Sequence, residues 1–274
     1  MNQKKGLAAG QMVAETLRNR NMLFKLAKND FKTKYAGSYM GILWAFVQPV
    51  VTILLYWFVF QVGLRSTAQG DVPFVLFLTA GLVPWFYFSD AWNGATSSLL
   101  EYSFLVKKVV FDVGILPGIK IISAFFVNAF FTVFMIGLYA CYGYYPGLHT
   151  LQLIYTLLCI TVFSWGLGYL TSSVIVFVRD LGHLMTVLLQ VLMWMTPIMW
   201  PISLVQEHFP WLVTLLKINP LFYVVQCSRD AMTGDAWFWE HPLWTLYFWA
   251  VTVILFVFGA HVFQKLRAHF ADVL

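Results

Sequence analysis

Five stretches of this chain stay apolar for about the thickness of a lipid bilayer, and every other feature has to fit around them. A helix needs roughly 20 apolar residues to cross the hydrocarbon core. The runs 41–63, 73–91, 119–142, 151–178 and 243–263 reach about that length. A sixth run, 184–200, is shorter and leads into a segment broken by Pro197, Pro201, Pro210 and Pro220. Only 11% of the 274 residues are charged and 60% are hydrophobic, against roughly 25% charged in soluble domains. The expectation is an all-α polytopic membrane protein of six transmembrane helices, forming a single domain over 1–274.

Charge placement orients such a chain. Fourteen Lys and Arg fall in the N-terminal arm, the loop after the second run, the turn after the fourth and the C-terminal tail; Arg65, Lys217 and Arg229 fall on the other side. With six spans, the positive-inside rule places both termini in the cytoplasm. The broken segment then lies on the outer side. The net charge of +5 reads as orientation and lipid contact rather than nucleic-acid binding, because the basic residues line a membrane boundary. The first forty residues hold no apolar block ahead of a small-residue cleavage site, so no signal peptide is expected. Cys141, Cys159 and Cys227 fit no metal or redox spacing.

The arm reads as an amphipathic helix at the interface. At 100° per residue, Phe24, Ala27, Phe31 and Tyr35 share a face, with Leu23 and Leu26 beside it. Lys25, Lys28 and Lys32 form a stripe on another side, suited to plain membrane anchoring or to contact with an anionic headgroup or pyrophosphate. Gly37 and Gly41 have the GxxxG spacing that permits close helix approach, as do Ser164, Gly168 and Ser172. Gln48–Pro49 predicts a kink in the first span. Between spans two and three, Leu99, Leu100, Phe104, Leu105 and Val109 have helical spacing. That amphipathic stretch fits either a soluble partner or the membrane surface.

Catalytic signatures are missing. The chain has no HExxH, no GxSxG, no paired His/Cys set and no GxxxxGK[ST], so it holds no phosphate-cradling P-loop, and neither catalytic nor metal residues are expected. Aromatic residues are in surplus, at 19%. Interfacial belts account for many, yet Tyr35, Tyr39, Trp44, Trp85, Trp194 and Trp200 gather near spans one, two and five. Flat rings with polar edges can stack on sugars, so these six are the expected substrate path.

The blocks "DFKTKYAGSYMGILWAFVQPV", "LTAGLVPWFYFSDA", "LVKKVVFDVGILPGIKI", "VRDLGHL", "MTPIMWPI" and "LKINPLFYVV" resemble, in order, the ABC-2-type permeases that export cell-surface polysaccharides. The stretch 228–249 resembles the teichoic acid translocation permeases of Gram-positive bacteria in particular. One departure is Asp112, where that family commonly has proline. The resemblance implies a bacterial plasma-membrane homodimer that binds two copies of a separate ATPase, with ATP and Mg held in that partner and no cofactor in this chain. It implies an interface helix over 17–35 and a coupling helix within 99–110, with Glu101, Tyr102, Ser103, Phe104 and Lys107 seated on the ATPase. It also implies a re-entrant helical hairpin over 201–233 between spans five and six, as gate or cap. The substrate would be polyprenyl-pyrophosphate-linked wall teichoic acid, or alternatively O-antigen or capsule. A polytopic glycosyltransferase is a remote alternative. It would need an outer acid such as Asp71, Glu207, Asp230, Asp235 or Glu240.

Overall fold

A computed structural model describes residues 8–63, 72–108, 111–206 and 209–274 of the protein. Lys4, Lys5, Arg65, Asp71 and Glu207 lie outside them, as do positions 109–110 of the expected coupling stretch. All regular structure among the described residues is helical. In chain order the α-helices are α1 (Ala8–Arg18), α2 (Arg20–Lys34), α3 (Trp44–Trp57), α4 (Phe74–Glu101), α5 (Ser103–Val106), α6 (Leu116–Cys141) and α7 (Gln152–Ile175). They continue as α8 (Leu181–Met195), α9 (Ser203–Gln206), α10 (Pro210–Ile218), α11 (Pro220–Thr233), α12 (Pro242–Leu266) and α13 (Phe270–Val273).

Five helical stretches are long and apolar enough to cross a bilayer: Gly41–Gly63, Phe74–Glu101, Val113–Cys141, Leu148–Ile175 and Pro242–Val273. The sixth expected span, 184–200, does not have that form. α8 has 15 residues, or roughly 22 Å of rise. It ends because Pro197 drives Thr196 to an extended ψ of 125°, as the residue before proline prefers. The second span is longer than expected. α4 runs on as one helix through Thr96, Ser97 and Ser98 to Glu101, so the start of the expected coupling stretch is its last turn. The hydroxyls of Thr96 and Ser98 bond back to the carbonyls of Trp92 and Ala95, which lets polar residues sit inside a buried helix.

α4 is the hub, packed against α6, α7 and α11, with most of its apolar window buried. The first span is the opposite extreme: only 11% of its window is buried. Small residues bring the other helices together. A Cβ added at Gly168 of α7 would stand 2.8 Å from Ala95 of α4, and one at Gly166 would stand 2.9 Å from the backbone of Phe256 in α12. Gly259 of α12 faces the Gly166 carbonyl in turn. Ser164 and Ser172 are fully buried in the same helix. The arm's GxxxG pair works differently. Gly37 and Gly41 have φ of 92° and 53° and nothing within 4 Å of an added Cβ, so they shape a turn rather than a helix contact.

The interface arm is two helices, not one continuous stretch over 17–35. α1 packs on α12, and Arg267 pairs with Glu15 at 3.2 Å and Asp112 at 3.1 Å. Asp112 also accepts from Asn19 Nδ2 and from the Gly114 amide. The position where the resembling family has proline thus ties α1, the loop before α6 and the C-terminal end into one knot. The N-terminal arm and the end of α12 therefore meet at one end of the bundle.

Beyond α8 comes a pair of helices, α10 and α11, joined by one turn. That turn is set by Asn219, whose side chain accepts from the Leu221 amide, and by Pro220 in the first turn of α11, where proline loses no helical bond. Gly234 closes α11 with φ 79°. Two bonds fix the turn in place: Asn219 Nδ2 donates to Thr196 Oγ1 at 2.8 Å, and Tyr247 OH donates to the Ile218 carbonyl at 2.6 Å.

Candidate functional site

Two adjoining cavities run between the N-terminal segment and the α4–α6 pair. One, of about 340 Å³, is bounded by Lys34, Tyr35, Trp44 and Gln48 on one wall and by Asp90, Asn93 and Asn128 on the other. The second, of about 470 Å³, continues past Asp90 and Asn93 to Glu101, Tyr102 and Lys120. Lys34, Asp90 and Asn93 line both. Lys34 Nζ and Asp90 Oδ1 close to 2.6 Å at that junction. Burial would lower the Lys34 ammonium, but the Asp90 carboxylate outweighs it and holds it above the usual lysine range.

The second cavity is floored by a network of five residues, Asp30, Tyr102, Lys120, Glu101 and Ser97. Asp30 of α2 is only 4% exposed. Its Oδ1 accepts from Tyr102 OH at 2.6 Å and pairs with Lys120 Nζ at 2.7 Å. Lys120 also reaches Glu101 Oε2 at 2.5 Å, and Glu101 Oε1 accepts from Ser97. The Lys120 stem passes over Gly94, where an added Cβ would stand 3.3 Å from its own Cβ. Burial pushes the Asp30 carboxyl up; hydrogen bonds from Lys120 and Tyr102 pull harder and leave it below the ordinary carboxylate range. Asp30 also keeps Tyr102, already desolvated, from ionising by pushing its phenol upward.

The expected site residues separate into groups. Tyr35 and Trp44 line the first cavity, while Glu101 and Tyr102 line the second. Glu101 ends α4 and Tyr102 caps it. Ser103 and Phe104 lie on α5, a single turn, with Phe104 59% exposed and Lys107 exposed just beyond. Trp85 is buried against Phe88 in the core. Trp200 packs on the same core, Trp194 is exposed on α8, and Tyr39 is fully exposed in the turn before the first span. None of these four lines the two cavities. Lys25, Lys28 and Lys32 are all exposed, and the lysines at the cavities are Lys34 and Lys120. The arm's buried stripe is Leu23, Ala27 and Asp30, which takes in Ala27 of the expected apolar face but leaves Phe24 57% exposed.

Sequence reasoning missed Asp30, Lys120 and Asn128 at this site. Lys120 sits in the second turn of α6. A lone acid on the buried stripe of the arm was the signal available. Arg229, counted on the side opposite the termini, is buried. Its guanidinium lies 3.6 Å from the Phe77 ring centroid and donates to the Pro197 and Ile198 carbonyls, each at 2.9 Å. Those carbonyls lie where prolines break the helix, so Arg229 supplies the bonds the break removes. Of the acids expected on the outer side, Asp230 accepts from Gln226 and Asp235 from Thr233. Among the described residues no three His, Cys, Asp or Glu converge as a metal site would require.

Comparison with known proteins gives this architecture a context. The ABC-2 type transporter family model matches residues 22–233. The O-antigen export system permease protein RfbA of Myxococcus xanthus is 28% identical over 268 residues, covering 96% of this chain and 98% of that protein. RfbA of Klebsiella pneumoniae is 26% identical over 257 residues, covering 93% of this chain and 95% of its own. The polysialic acid transport protein KpsM of Escherichia coli is 24% identical over 204 residues, covering 74% and 78%.

Proposed function

Because this chain belongs to the ABC-2 type transporter family, we propose that it is the membrane permease subunit of an ATP-driven exporter of a cell-surface polysaccharide. The observation that carries the reading is similarity along nearly the whole chain to proteins named for O-antigen export. The same names, together with the polysialic acid protein, favour an O-antigen- or capsule-like polymer on a lipid carrier over wall teichoic acid. Teichoic acid is the second reading, resting on the 228–249 stretch alone.

ATP and Mg would be bound by a partner ATPase, in two copies beneath a homodimer of this chain. The sequence's lack of a P-loop fits an ATPase supplied in trans. α5, with Phe104 and Lys107 outward, is the surface offered to it. Five long helices alone would leave the two chain ends on opposite sides of the bilayer. The Glu15–Arg267 contact favours an even number of crossings, with α8 and the segment after it as the sixth, and both ends in the bacterial cytoplasm. The α10–α11 hairpin would then re-enter from the outer side, its carbonyls satisfied within protein as membrane depth demands. An enzymatic reading has less support, since Asp230 and Asp235 are engaged locally.

The test is co-purification with the ATPase encoded nearest to this gene, followed by ATPase assay of the complex in lipid. Association, and turnover that depends on this chain, is the expected result; two proteins that never associate would overturn the proposal. Depletion in cells then identifies the cargo. Loss of a surface glycan poor in phosphate supports the first reading, and loss of wall phosphate the second.

A further inference from the structure

Asn128 stands almost midway along α6, in an otherwise strongly apolar helix. It is 3% exposed, yet neither its amide nitrogen nor its amide oxygen has a hydrogen-bond partner. Buried amides are almost always bonded, and an orphaned one needs a reason. A polar side chain deep in a membrane helix is a functional candidate by default. Asn128 lines the first cavity, opposite Gln48, Thr52 and Trp44 of the first span.

We propose that this cavity is a binding site for a neutral, hydroxyl-rich ring, such as one sugar of the exported chain, with Asn128 as its buried recognition group. The inference rests on the function proposed above and adds a site to it. At about 340 Å³ the cavity lies within the roughly 300–1,000 Å³ range of small-molecule sites and far exceeds the ~30 Å³ share of a water. Its walls offer what sugar hydroxyls need. The Asn128 and Gln48 amides each both donate and accept. The Thr52 hydroxyl gives its proton to the Gln48 carbonyl, leaving its oxygen free to accept. Trp44, 46% exposed, presents a ring for stacking. Charge separates this ligand from a diphosphate. The cavity's lysine, Lys34, is already held by Asp90 at 2.6 Å, so the wall carries no spare cation. A diphosphate would lack the cationic partners that anion binding favours; a neutral polyol needs none.

The experiment uses the permease–ATPase complex in lipid nanodiscs. Its probe is the host strain's own surface polysaccharide, hydrolysed to short oligosaccharides and fluorescently labelled. Binding is followed by anisotropy and stability by thermal unfolding. Asn128→Leu and Gln48→Leu should each weaken binding at least tenfold, while the unfolding midpoint of Asn128→Leu stays level or rises, because the amide it removes is unbonded. Millimolar inorganic pyrophosphate should not displace the probe. Wild-type binding by both variants overturns the site, as does displacement by pyrophosphate or a fall in the Asn128→Leu midpoint with Gln48→Leu binding intact. A complex that assembles and hydrolyses ATP but binds no probe removes this inference alone. Failure to assemble at all removes the function beneath it.

Discussion

Lys120 of α6 holds Asp30 of the N-terminal arm at 2.7 Å, with the same ammonium also bonded to Glu101 at the end of α4. The arm is therefore bolted to the bundle at the point where the loop carrying α5 departs. Tyr102 and Lys120 thus join α2 to the end of α4 and the start of α6.

That pairing makes a cycle of substitutions informative. Lys120→Met leaves the Asp30 carboxylate buried and unpaired and should cost about 3 kcal/mol, in line with broken buried pairs. Asp30→Asn should cost less, and the double variant should recover part of the Lys120→Met loss. Thermal unfolding of the four proteins in one detergent measures the coupling. Additive losses would show that the two residues do not interact.

Acid should loosen the arm in one direction only. The Asp30 carboxyl lies below its ordinary 3.8 in the folded protein. Its contribution is thus complete above 3.8 and is lost as pH falls through the lower folded value. Hydrogen exchange across 20–34 should stay flat, after correction for intrinsic rates, from neutral pH to about 5 and rise below 3.8. In Asp30→Asn the rise should be absent.

Close packing of α7 on α12 should tolerate no added carbon. Gly259→Ala drives a methyl group against the Gly166 carbonyl, a backbone atom that cannot swing aside. A loss of about 1–3 kcal/mol, the usual scale of overpacking, should appear as a lower unfolding midpoint. Gly137→Ala, within α6 and with nothing within 4 Å of an added Cβ, is the control that should leave the midpoint level or raise it slightly.

α5 offers a cleaner probe of coupling than Glu101, whose replacement also disturbs Lys120. Phe104 is 59% exposed, so Phe104→Glu should leave unfolding unchanged within about 0.5 kcal/mol, as for most surface changes. It should nevertheless reduce the ATPase stimulation given by this chain at least several-fold. Full stimulation by the variant would remove α5 from the contact.

The bundle's long helices were legible because apolar length is written directly in the sequence. Their ends were not, for reasons visible at particular residues. α4 outruns its apolar stretch because neighbouring helices surround Thr96 and Ser98, whose hydroxyls bond to their own helix. α8 falls short because Pro197 acts on Thr196 before the apolar character fades. The site was half legible. Tyr35 and Trp44 stood out as aromatics near the first span, and Glu101 and Tyr102 came only with the family resemblance, as ATPase contacts; Asp30 looked like one more polar residue among lysines. Lys34 and Asp90 are 56 residues apart, and nothing local in sequence joins them.

The break after α8 has a mechanical consequence. Its extended residues are gripped from two sides, by Asn219 at Thr196 and by Arg229 at the carbonyls of Pro197 and Ile198. Both grips come from the helix pair that follows. An axial slip of α8 would drag the pair with it, and pressure on the pair would be returned along α8. Proline has made this stretch a joint in the covalent chain, and two side chains have locked it to the helices that follow.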